Sequence, residues 1–201
     1  MLEWIVFFWM LLIAMHNQHP TPEIPREPVV IDDHKEAAKP QEAPQSIVPK
    51  DLADLLLFYQ PKLSRDEADR YASSIYSAAS DYNIDPLWIV AMMWQESRFI
   101  NNSRSKAGAV GLMQILPNTA RSKGINPENL TVPEINIQTG ASYLADMIEL
   151  FGSLKKGTIA YNQGPSKVKK GSYRTGYYSN VSKHYADIQE NYKERAARLH
   201  R

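Results

Sequence analysis

Asp85-Pro86-Leu87-Trp88-Ile89-Val90-Ala91-Met92-Met93-Trp94-Gln95-Glu96-Ser97-Arg98-Phe99 is the stretch that decides the fold. Asp followed by Pro is a helix start: the carboxylate caps an exposed N–H, and proline, which has none to lose, takes the first helical position. Leu87 to Phe99 is then predicted as a mostly apolar helix, which places it in the middle of a core. Glu96, near its end, is the informative exception. A carboxyl packed against apolar neighbours loses hydration, which disfavours its charged form and raises its pKa toward the range a general acid needs near neutrality. The plainer alternative is a glutamate that turns to solvent and pairs with Arg98.

On the N-terminal side, Ser64-Arg65-Asp66-Glu67 fits a capping box, and Ala68, Ala72, Ile75 and Ala79 recur behind it at helical spacing. On the C-terminal side, Asn101 to Gln114 is poor in helix signals, and Gly108 and Gly111 suit tight turns or a small hairpin. Pro117-Asn118-Thr119-Ala120 restarts a helix. Another follows Pro133, with Ile137, Tyr143, Leu144, Met147, Ile148 and Phe151 as its apolar stripe and Asp146 and Glu149 on its solvated face. Leu154 to Tyr161 is a short helix, and Tyr177 to about Leu199 a last one carried by Val181, Tyr185, Ile188 and Tyr192. Tyr173, Tyr177, Tyr178, Tyr185 and Tyr192 are read as core, with stacking on sugars as the alternative. No strand pattern competes, so the domain is mainly α.

The chain has 201 residues, 43% of them hydrophobic and 22% charged, which suits one folded domain with extensions. There is no cysteine, which removes disulfides and thiol chemistry, and a formal charge of +1 gives no polyanion signature, so nucleic acid is not an expected partner. Trp4 to Met15 is an unbroken apolar run that would reach only ~18 Å as a helix, against a ~30 Å hydrocarbon core. No Lys or Arg precedes it and no A-x-A site follows, so residues 1–15 read as an uncleaved membrane anchor or atypical export signal, with residues 4–15 in the membrane. Residues 16–50 hold seven of the thirteen prolines and read as an extended, flexible spacer. Residues 51–201 form the domain and carry a net charge of +4. His16, His19, His34, His184 and His200 show no ligand spacing, so neither a metal nor a cofactor is expected.

Two further segments carry polar groups among small residues. Ser105 to Gln114 allows close backbone approach to a ligand and ends in an amide, and it lacks the Gly-Lys-Ser/Thr of a phosphate loop. Ala160-Tyr161-Asn162-Gln163-Gly164-Pro165 presents a phenol and two amides before a Gly-Pro stop. The order of Glu96-Ser97-x-Phe99, Ser105-x-Ala107-Gly108-Ala109-x-Gly111-Leu112-Met113-Gln114-x-x-Pro117-x-Thr119-Ala120, Asn136-Ile137-x-x-Gly140-x-x-Tyr143-Leu144 and Ala160-Tyr161-Asn162-x-Gly164-Pro165 resembles the soluble lytic transglycosylase (SLT) family. The resemblance spans about Leu55 to Tyr185.

It implies a lysozyme-like fold, mainly α with a very small β element, and a cleft for peptidoglycan glycan strands cut between N-acetylmuramic acid and N-acetylglucosamine. Glu96 matches the family's single catalytic acid, which would protonate the glycosidic oxygen and then, as a base, take the proton of the muramic 6-hydroxyl to leave a 1,6-anhydro end. Ser105 and Gln114 match cleft residues expected to hydrogen-bond sugar or Glu96 itself, Tyr161 matches a tyrosine near the acetamido group and the catalytic carboxylate, and Asn162 follows it in the same motif, so the resemblance implies that all four are substrate-binding. Ser97 matches a residue that supports the helix end. Met113 and Leu116 are cleft-wall candidates, with core packing as the alternative. The sequence departs from the family at Arg174-Thr175-Gly176-Tyr177-Tyr178, where many members carry an acidic residue before Thr-Arg. The alternatives are a muramidase that admits water, as in goose-type lysozymes, and a non-catalytic glycan-binding module of an envelope-spanning or virion assembly. The expected location is the cell envelope, or a virion.

Overall fold

The computed structural model describes residues 47–199, so the apolar run 4–15 and nearly all of the spacer lie outside the described residues. Among the described residues no helix is long and apolar enough to cross a membrane.

Asp85 accepts from the Leu87 N–H at 2.8 Å, and Pro86 opens helix α3, which spans Pro86–Ser97. Every residue from Leu87 to Met93 is buried, so this helix is the hydrophobic centre that its apolar circumference requires. It ends two residues earlier than predicted. Arg98 and Phe99 both take left-handed conformations, with φ of 53° and 61°. For residues with a Cβ this costs roughly 1–2 kcal/mol each. Tertiary contacts hold them there: Phe99 is buried, the Arg98 guanidinium lies 4.5 Å from the Trp94 ring centroid, and Gln60 Nε2 donates to the Arg98 carbonyl at 3.1 Å. The sharp exit leaves Glu96 on the final turn of a rigid helix.

The other elements surround α3. Helix α1 (Pro49–Tyr59) buries Leu52, Ala53, Leu55 and Leu56. It begins inside the segment 16–50 that composition assigns to the spacer, because Pro49 is a good first helical residue. Helix α2 (Arg65–Tyr82) begins with the predicted capping box, in which Ser64 Oγ accepts from the Glu67 N–H while the Glu67 carboxylate accepts from the Ser64 N–H. Helix α4 (Pro117–Ser122) and a 3₁₀ turn (Pro127–Thr131) lead into α5 (Pro133–Phe151), then α6 (Leu154–Gln163), α7 (Pro165–Lys169) and α8 (Gly176–Leu199). Helix α8 packs along α3, while α5 lies between α2 and α6. The short α7 forms where a Gly-Pro stop had been read, because proline is also a good first helical residue. Among the described residues the small β element is reduced to two isolated bridges, Arg104 with Val110 and Val110 with Ile115.

Candidate active site

Three pieces of the chain meet at the end of α3. The first is the turn Val110 to Gln114, and Asn136 on α5 holds it in place. The Asn136 side chain is fully buried, accepts from the Met113 N–H at 2.8 Å, and donates to the carbonyls of Val110 and Leu130, both at 2.9 Å. Gly111 sits at φ +85°, and a Cβ there would come within 2.2 Å of Asn136 Nδ2, so both the conformation and the space require glycine. Gly140 plays the matching part on α5, where a Cβ would meet Met113 Sδ at 2.4 Å. Ser97, in the last turn of α3, donates to the Leu112 carbonyl at 2.8 Å and so ties the turn to the catalytic-candidate helix.

The second piece is the end of α6. Tyr161 donates to the Met113 carbonyl at 2.7 Å, and its ring lies 5.4 Å from that of Tyr143 on α5. Gln163 binds the backbone of Arg174 in both directions, its Nε2 donating to the Arg174 carbonyl at 2.6 Å and its Oε1 accepting from the Arg174 N–H at 3.0 Å. The third piece is the start of α8, from which the Tyr177 hydroxyl donates to Glu96 Oε1 at 2.5 Å.

These pieces enclose an open cleft of about 430 Å³. Glu96, Ser105, Gln114, Tyr161 and Asn162 all line it, as does Leu116. Ser105 Oγ accepts from the Ala109 N–H at 3.0 Å, closing the turn that forms one wall. Gln114, at φ 50°, uses its Nε2 on the carbonyls of Ser103 and Gly111, at 3.1 and 3.0 Å. Met113 is not a cleft wall: its side chain is fully buried against Gly140, and its contribution is the carbonyl that receives Tyr161. Tyr143, Gln163 and Thr119 also line the cleft. The sequence motifs contain all three but assign none of them to the cleft: Tyr143 reads as one more member of the α5 apolar stripe, and the other two sit beside better-marked residues.

Glu96 is partly buried and makes no ion pair with Arg98, whose guanidinium stacks on Trp94 instead. Burial pushes its carboxyl up from the usual range to about 7, and the Tyr177 hydrogen bond pulls back in the opposite direction. Burial and the proximity of Glu96 raise the Tyr161 and Tyr177 phenols well above their ordinary value, so both remain neutral donors. Among the described residues no other Asp or Glu lines the cleft. Asp146, on the exposed face of α5, pairs with Lys123 at 2.7 Å. Tyr177, one of the tyrosines read as core, therefore bonds the key carboxyl directly. The two lie 81 residues apart, and no local pattern in the sequence links them.

A helical lysozyme-like domain with one elevated carboxyl at the end of its buried helix, beside a glycine-pinned turn and a tyrosine-amide pair, defines the class of protein. The chain belongs to the transglycosylase SLT domain family, whose pattern matches residues 73–180. Among its relatives it is similar to the transglycosylase of Enterobacteria phage PRD1, with 32% identity over 110 residues covering 55% of this chain and 41% of that protein. It is also similar to the X polypeptide of Escherichia coli K12, with 36% identity over 123 residues covering 57% of this chain and 73% of that protein. Among solved structures, an inactive mutant of the lytic transglycosylase Slt from Pseudomonas aeruginosa superposes with a TM-score of 0.52 at 27% identity, over 59% of this chain and 24% of that one. The chain thus spans less than half of the phage relative and about a quarter of the solved Slt chain.

Proposed function

We propose that this domain cleaves the β-1,4 bond between N-acetylmuramic acid and N-acetylglucosamine in peptidoglycan and leaves a 1,6-anhydro end. The observation that carries this reading is Glu96, the one carboxyl lining the cleft, held near pKa 7. An ordinary glycosidase flanks the scissile bond with two carboxyl groups, one to protonate the leaving oxygen and one to act as nucleophile or to activate water. A single carboxyl suffices when the substrate supplies its own nucleophile. Protonated Glu96 gives its proton to the glycosidic oxygen as the C1–O bond breaks, and the N-acetylglucosamine side leaves with a free 4-hydroxyl. The substrate's acetamido group stabilises the positive charge growing at C1. The Glu96 carboxylate then removes the proton of the muramic 6-hydroxyl as its oxygen bonds to C1. No water is consumed and the acid is regenerated.

A carboxyl with a pKa near 7 is well matched to both half-steps at neutral pH. Tyr177 orients it, and Tyr161, Asn162, Gln114 and Ser105 offer the hydrogen-bonding groups that would grip sugar hydroxyls and acetamido groups. We further assign residues 1–15 as an anchor or export signal and residues 16–50 as a spacer, which would deliver the domain to the cell wall in a cell envelope or a virion. Cell fractionation of the full chain against one lacking residues 1–15 tests that assignment, with loss of the membrane-associated fraction expected on deletion.

The test of the chemistry is mass spectrometry of the products released from purified peptidoglycan by the full chain, beside Glu96→Gln. Anhydro-muropeptides from the wild type alone are the expected result. Reducing-end products, heavier by one water, would make the domain a muramidase, and no products from a folded chain would make it a binding module.

A further inference from the structure

The net positive charge of the domain comes from one run of chain. From residue 150 to residue 186 there are seven Lys or Arg (Lys155, Lys156, Lys167, Lys169, Lys170, Arg174 and Lys183) and no Asp or Glu. The rest of residues 51–201 holds twelve basic and fifteen acidic residues, so this one segment turns a slightly acidic domain basic. All seven side chains are exposed. Among the described residues none of the seven has an ion-pair partner, although Arg65, Arg70 and Lys123 elsewhere in the domain each find a carboxylate. Exposed like charges on a run of chain that carries no acid favour the approach of an anion.

Their position is fixed relative to the cleft. Gly164 and Gln163 line the cleft, α7 begins at Pro165, and Tyr177 bonds Glu96. Lys167, Lys169, Lys170 and Arg174 therefore lie on a segment whose two ends are both fastened to the site, and Gln163 binds Arg174 itself through two backbone hydrogen bonds. The cleft itself has no cation among its lining residues. Beside Glu96, the polar groups among the described lining residues are neutral donors and acceptors, and the exposed cations lie on the adjoining segment.

We propose that this basic rim binds the carboxylates of peptide substituents on a glycan strand as the strand leaves the cleft. This rests on the reading of the cleft as a peptidoglycan site and adds the acidic peptides to what the domain recognises. A neutral β-1,4 acetamido polymer would meet the cleft alone. A peptide-bearing strand would meet cleft and rim together.

The test uses the full-length chain carrying Glu96→Gln, kept in solution with a non-ionic detergent, and measures its binding to purified sacculi. Raising salt from about 0.1 M to about 1 M, which shortens the screening length from about 10 Å to about 3 Å, is expected to weaken binding about tenfold or more. The combined variant K167E/K169E/K170E/R174E is expected to bind about tenfold more weakly at the lower salt and to lose most of its salt dependence. The charge-keeping set K167R/K169R/K170R/R174K should restore both. Converting the sacculus carboxyls to methylamides should bring the parent chain down to the level of the charge-reversed variant. Unchanged binding by a charge-reversed variant that unfolds at the parent temperature overturns the rim, as does undiminished parent binding to methylamidated sacculi. The product analysis above reads the active-site assignment separately: wild-type chain that releases anhydro ends yet binds sacculi independently of salt keeps its function and loses the rim. Salt-dependent, carboxyl-dependent binding without any anhydro product keeps the rim and loses the activity.

Discussion

At Glu96 two local effects oppose each other, and burial prevails over the Tyr177 hydrogen bond to hold the carboxyl near pKa 7. In the proposed mechanism the acid must carry its proton to start the reaction, so kcat/KM should fall as pH rises through about 7, by about tenfold per unit beyond it. Tyr177→Phe removes the contact that favours the carboxylate, so the alkaline limb should move to higher pH. A purely structural role for Tyr177 would lower activity and leave the profile in place. Glu96→Gln should cost about 10³-fold or more in rate of product release. The same shift has a consequence for stability. A carboxyl whose folded pKa lies above its unfolded value destabilises the fold once it is ionised, so the penalty is absent below about pH 4.5, grows as pH rises and is complete above about 7. Glu96→Gln should therefore be more stable than wild type at pH 8, by an amount on the order of 3 kcal/mol, with the difference vanishing near pH 4. Denaturant titrations at the two pH values measure it.

The turn Val110 to Gln114 has no regular secondary structure beyond isolated bridges, and α5 positions it through Asn136 and Gly140. Asn136→Ala leaves the Met113 N–H and two carbonyls without their partner, for an expected loss of about 3 kcal/mol. Gly111→Ala should cost about as much through its φ of +85° and the collision with Asn136. Both variants should lose activity beyond what their unfolding explains, because the same turn carries Gln114 and receives Tyr161; thermal melts beside assays on soluble glycan separate the two effects. At this scale the sequence was legible wherever an element announces itself locally. The Asp85-Pro86 start and the Ser64 capping box were such signals. Helix α1 was not, because its Leu52, Leu55 and Leu56 follow a proline-rich stretch and carry no N-cap side-chain signal. The early end of α3 was equally hidden, since left-handed Arg98 and Phe99 stack on Trp94 and Gln60, 38 residues away, holds the Arg98 carbonyl, and neither contact leaves a pattern that marks a helix end.

For the molecule as a whole, α3 is the buried axis, α8 packs along it, and the cleft opens where the axis ends. Every piece of the cleft is supplied by residues 96–177, so residues 47–201 alone should unfold cooperatively and release the same products from soluble strands as the full chain. Loss of activity in that fragment would place an essential part of the site before residue 47. The sequence by itself determined the helical class, the centre of the core and the carboxyl at its edge, because apolar periodicity, caps and an isolated acid on an apolar helix are properties of neighbours in the chain. It also marked Ser105, Gln114, Tyr161 and Asn162 through ordered short motifs. Only the tertiary structure decided that Met113 faces the core, that Tyr161 reaches the Met113 carbonyl across 48 residues and that Tyr177 reaches Glu96 across 81. Those assignments depend on which side chains meet when helices pack. A tyrosine at helical spacing looks the same in sequence whether its hydroxyl ends in the core, in water or on a partly buried carboxyl.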